Sequence, residues 1–136
     1  MTYAIAAPLQ AAVYAALTQD TTLAGLVGDD IYDALPTGSL PDTYVSLGRE
    51  DVRDASDQGV NGAIHRFEVS VITSQPGFAR AKAVAAAVSD ALHDADLALT
   101  RGRLVFLRFE RAEARRIDRR AIREILLRFR ARVDDI

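Results

Sequence analysis

Two histidines, His65 and His93, are the only imidazoles in this chain that could carry protons near neutral pH. His65 shares the apolar side of an alternating run with Phe67, Val69 and Val71, and reads as a core or edge residue of a strand. His93 closes an alanine-rich helical pattern, where it suits the negative end of the helix dipole. Serine, histidine and aspartate are all present, but nothing resembles a nucleophile elbow. Asp29, Asp30 and Asp33 cluster, yet their spacing fits no calcium-binding loop, so they read as solvated charges. The glycines at 25, 28, 59 and 62 build no phosphate cradle. The absence of cysteine excludes disulfides, thiolate zinc sites and a cysteine nucleophile. These residues predict a protein that is not an enzyme and that holds no metal and no cofactor.

What chemistry remains is guanidinium chemistry. The stretch RRIDRRAIREILLRFRAR, residues 115–132, contains 8 arginines in 18 residues. Residues 1–100 hold 5 basic and 13 acidic groups, whereas residues 101–132 hold 12 arginines and 4 acids. The overall net charge of −2 therefore conceals an acidic body and a basic C-terminal third. Such an asymmetry fits a nucleic-acid surface. It fits equally an acidic face on one copy that meets a basic face on the next.

The elements that carry the arginines decide between a helix and a strand. Ile125, Leu127, Phe129, Ala131 and Val133 occupy every second position, with Arg128, Arg130 and Arg132 between them. That period of two belongs to a strand; a helix would scatter both sets. A second alternating run, LVFLRFE, precedes it, so two antiparallel strands are expected at about 102–114 and 120–134, joined around RRIDRR. The helix formers in 110–124 leave a local helix there as an alternative. The arginine stripe then has three readings: a solvated strand face, a phosphate-binding surface, or a subunit contact. Nucleic-acid binding lacks the aromatics that usually interleave with arginines, since Phe129 lies on the opposite face.

Upstream, Ile5, Leu9, Val13 and Leu17 mark an amphipathic helix at roughly 6–19, followed by a short helical turn capped at Asp20 or Thr21 and stopped by Gly28. A proline-bearing loop leads to a strand at TYVSLGRE, and the polar run DVRDASDQGVNG is expected to be a mobile loop. AIHRFEVSVIT is a strand. The second long helix has Ser74 as its cap and Phe78, Ala81, Val84, Ala85, Val88 and Leu92 as its buried stripe. The order predicts an α+β fold in αββαββ order, a four-stranded, mainly antiparallel sheet with two helices on one face. A length of 136 residues suits one domain, 1–136. No run is apolar enough to span a membrane, and the N-terminus lacks the basic segment of a signal peptide, so synthesis in a cytoplasm is expected.

The order of these pieces resembles the tail terminator, or tail-completion, family of long-tailed phages and gene transfer agents. The resemblance rests on the N-terminal helix followed by TTLAGLVGDDIYDALP, the PDTYVSLG strand, the acidic glycine-bearing loop before HRFEVSVITSQPGFARAKAVAAAVSDAL, and the final strand pair. Pro41, Tyr44, Val45, Leu47 and Gly48 match the family's proline and Tyr-Val-x-Leu-Gly-like strand. Arg116, Asp118 and Arg119 stand where the family commonly has an Arg-Asp-x-Asp-Gly turn, without its glycine.

The resemblance implies a structural virion protein that forms a ring, a hexamer, on the end of the tail tube. Its partners would be other copies of itself, the major tail tube protein and the head-side connector, with DNA passing through the lumen unbound. A stopper or adaptor ring on the connector side is the nearest alternative. Within that frame, Glu50, Asp51, Asp54 and Asp57, with Arg108, Arg115, Arg116, Arg119, Arg120, Arg128, Arg130 and Arg132, are the candidate subunit or tube contacts.

Overall fold

In the computed structural model, which describes residues 2–117 and 121–136, three helices and five strands follow one another along the chain. Helix α1 spans Ala6–Thr18 and buries Leu9, Val13 and Leu17, the stripe that its four-residue spacing predicts. Helix α2, Thr21–Val27, is a full short helix. The Asp20 carboxylate caps it by accepting the Leu23 N–H at 2.9 Å. Gly28 stops it at φ +59, a conformation that side-chain-bearing residues resist.

Strand β1, Ile31–Tyr32, lies inside the segment expected to be only a loop. It pairs parallel to β2, Thr43–Asp54, because the buried Ile31 draws the backbone against Val45. Strand β2 runs on to Asp54 and β3 covers Asn61–Thr73. Half of the polar run 51–62 is therefore paired strand, and the loop shrinks to residues 55–60 between the two. Its polarity reflects exposure on a long hairpin.

Helix α3 covers Ala79–Leu92 and buries Ala81, Val84, Ala85, Val88 and Leu92 as expected. Ser74 is not its cap. Phe78 holds the cap position without a side-chain bond, while the Ser74 N–H is spent on the Asp42 carbonyl at 2.8 Å. Strands β4, Arg103–Ile117, and β5, Ile122–Asp135, complete the fold; the described residues of 110–124 are strand apart from a turn at Ala121, so no helix forms in them.

The class is α+β, with five strands in place of four and three helices in place of two. The sheet order is β1-β2-β3-β5-β4, antiparallel throughout except at β1. The core lies between the helices and one sheet face, with Phe129 at its centre. Phe129 is fully buried, stacked on Phe67 at 5.6 Å and met edge-on by Phe109 at 6.0 Å.

Candidate functional site

The sheet face away from the helices gathers most of the arginines. Pairing of β2, β3, β5 and β4 places Asp51, Arg66, Arg130 and Arg108 in one row across four strands. The next row contains Glu68, Arg128 and Arg111. Like charges directly opposite one another on a sheet repel, so three arginines abreast need compensation. Arg66 Nε reaches Glu110 Oε2 at 3.4 Å. The Arg108 and Arg130 guanidinium groups lie over the Phe106 ring, 4.4 and 5.3 Å from its centre. Arg130 Nε is nonetheless buried without a hydrogen-bond partner among the described residues.

Two bulges on β4, between Leu104 and Phe106 and between Phe109 and Arg111, shift the alternation so that Arg108 and Arg111 share this face. Without the second bulge, their spacing of three would put them on opposite sides.

Arg132 is committed locally: it donates to Asp134 Oδ1 at 3.2 Å and to the Ala55 carbonyl at 3.0 Å. Arg115 donates to the largely buried Glu124 at 3.1 Å near the far end of the β4–β5 hairpin. Arg116 falls on the helix-side face, two residues beyond Ala114. Arg119 and Arg120 lie outside the described residues.

The acidic candidates do not form one patch. A bulge between Leu47 and Glu50 turns Glu50 to the helix side, where it accepts the Tyr3 hydroxyl at 2.6 Å and faces His65 Nδ1 at 3.3 Å. That bond and the carboxylate charge raise the Tyr3 hydroxyl above its ordinary value. Asp51 stays on the arginine face beside Arg53, at 3.4 Å. Asp54 accepts the Ser56 hydroxyl at 2.6 Å and the Ser56 N–H at 3.1 Å, and these bonds lower its carboxyl below the usual value. Asp57 sits in the β2–β3 turn, bridged to Val60.

The histidines take the structural places expected of them. His65 is fully buried in the core. His93 ends α3, where its Nδ1 accepts the Phe109 N–H at 3.0 Å. That bond ties the helix end to β4 through a ring-nitrogen lone pair, an attachment that the helix-dipole reading did not contain.

Sequence reasoning missed Arg66, Arg111 and Phe106. Alternation gave Arg66 its face, but only strand order puts β3 beside β5. The arrangement as a whole is a permanently charged surface of mixed sign, suited to holding carboxylates or phosphates by paired guanidinium bonds. Among the described residues, no group of three His, Cys, Asp or Glu side chains could hold a metal ion. Among the described residues, no helix is long and apolar enough to cross a membrane.

Residues 11–134 match the family of tail completion protein gp17. The chain belongs to that family. This tail completion protein is also similar to a chain in the solved structure of the virion of a native gene transfer agent particle. The two are 61% identical and superpose with a TM-score of 0.94, over 98% of this chain and 99% of the other. No curated protein sequence matches it.

Proposed function

We propose that this tail completion protein is a tail terminator: six copies close into a ring on the head-proximal end of the tail tube. The ring stops tube polymerisation and offers the docking surface for the head-side connector. The protein is a structural component of a virion tail, and its role is non-enzymatic. The observation that carries this reading is the family match over residues 11–134, joined to 61% identity with a chain of a gene transfer agent virion.

The sheet supports the same reading. β4 is a 15-residue edge strand whose residues 108–116 are all exposed. A long free edge invites another chain, and natural sheets usually shorten, charge or cover such edges. The arginines guard it against self-pairing while leaving it open to an acidic neighbour. The candidate contacts are Asp51, Arg108, Arg128 and Arg130 on the open face, with Arg115 and Arg116 toward the hairpin end. Asp54 and Asp57 stand at the β2–β3 end with Arg132 beside them, Glu50 lies on the helix side of β2, and Arg119 and Arg120 belong to the same proposed set.

DNA passing through the lumen needs a surface that does not hold it. Arg66, Arg115 and Arg132 already bond to carboxylates of this chain, and Asp51 and Glu68 end the two positive rows. This mixture argues against a dedicated nucleic-acid surface, which would present unpaired guanidinium groups to phosphates. Negative-stain imaging of the purified protein, alone and mixed with tail tubes, tests the reading. Rings of six, and rings seated on tube ends, are expected. A chain that stays monomeric at high concentration and beside tubes would refute it.

A further inference from the structure

We propose that the ring closes by a head-to-tail contact in which loop 33–42 of one copy docks into the groove beside β4 of the next. This rests on the ring reading above and specifies its interface.

The groove, of about 320 Å³, opens between α3 and the outer half of β4. Its walls are Ala86, Phe109, Ala112, Ala114, Ile125 and Leu127. It is open to solvent and leaves Phe109 38% exposed beside the core. Lys82 stands on its helix wall, and Arg116 continues the Ala112–Ala114 side of the strand toward its end. The groove is therefore apolar inside and basic at its rim.

Loop 33–42 has the opposite character. Leu35 and Leu40 are 51% and 41% exposed, an unusual state for two leucines on one short loop. Asp33 and Asp42 bracket them, and neither forms an ion pair among the described residues. Pro36 and Pro41 restrict the backbone, so ordering it on docking costs little entropy.

Topology makes the contact intermolecular. The loop joins β1 to β2 at one edge of the sheet, and the groove lies at β4, the other edge. Four inter-strand steps of about 4.8 Å separate those edges, roughly 19 Å. A subunit cannot fill its own groove, so each copy presents a loop at one side and a groove at the other. That is the heterologous arrangement that closes into rings.

The test uses two full-length variants. One carries Asp33→Arg and Asp42→Arg; the other carries Lys82→Glu and Arg116→Glu. Sedimentation velocity and negative-stain images report ring formation. Each variant alone is expected to associate at least tenfold more weakly than the parent. Their equimolar mixture is expected to restore rings, because each reversed loop then meets a reversed groove. A third variant, Leu35→Ser with Leu40→Ser, is expected to weaken rings without changing the melting temperature, which separates docking from folding. Rings that persist in any of the three variants, or a mixture that fails to restore them, would overturn this interface while leaving the ring reading intact. A parent protein that forms no ring would remove both.

Discussion

At the scale of single residues, the aromatic centre and the terminal ion pair make the plainest claims. Phe129 fills the middle of the core between Phe67 and Phe109. Phe129→Ala should cost about 3–5 kcal/mol of unfolding free energy, through lost burial and the cavity left behind, measured by urea denaturation. Arg101 grips Asp135 with two bonds, at 3.0 and 2.8 Å, and holds its carboxyl below the usual range. A lowered folded value means that this contribution is present above the unfolded carboxylate value, about 3.9, and is lost as pH falls through the folded one. Melting curves of Arg101→Ala should therefore show a shallower acid loss below about pH 4 than the parent. An identical acid profile would mean that the pair contributes nothing. His65, by contrast, was readable from its strand phase alone, whereas its closeness to Glu50 depends on a bulge that alternation cannot show.

At the scale of elements, periodicity carried most of the reading because it reports which face of an element is buried. The β5 alternation, the α1 stripe and the α3 stripe appear at the expected residues, except that Phe78 precedes α3 at its cap position and is only half-buried. What periodicity could not reveal was pairing. The two-residue β1 is too short to have a period, and the far end of β2 is polar and mostly exposed, so no apolar alternation marks it. The bulges on β4 moved Arg111 across the sheet, so the composition of the arginine face could not be counted from spacing. One turn between elements is especially sensitive. Gly102 sits at φ +75, and a methyl group there would meet Ile5 Cδ1 at 2.6 Å and the Asp134 carbonyl at 2.7 Å. Gly102→Ala should destabilise the fold by at least about 1–3 kcal/mol from backbone strain alone, again read by denaturation. A neutral outcome would mean that the junction between α1, β4 and β5 is looser than its geometry indicates.

For the whole molecule, the basic C-terminal third gains its meaning from where the sheet places it. The same arginines that suggest nucleic acid in a linear reading lie on a long edge strand and on a mixed-sign face, beside carboxylates of their own chain. The acidic β1 side and the basic β4 side then form the two ends of one sheet, a polarity suited to copies arranged head to tail. Family membership supplies the tail, and this polarity supplies a physical reason for a ring. In the proposed role, the ring ends tube growth. The most direct measurement is the length distribution of tail tubes assembling from purified tube protein, imaged over time with and without this protein. A substoichiometric addition should arrest elongation and leave a ring on one end of each tube. Tubes that continue to lengthen beside a saturating amount of the protein, with bare ends, would contradict a terminator role.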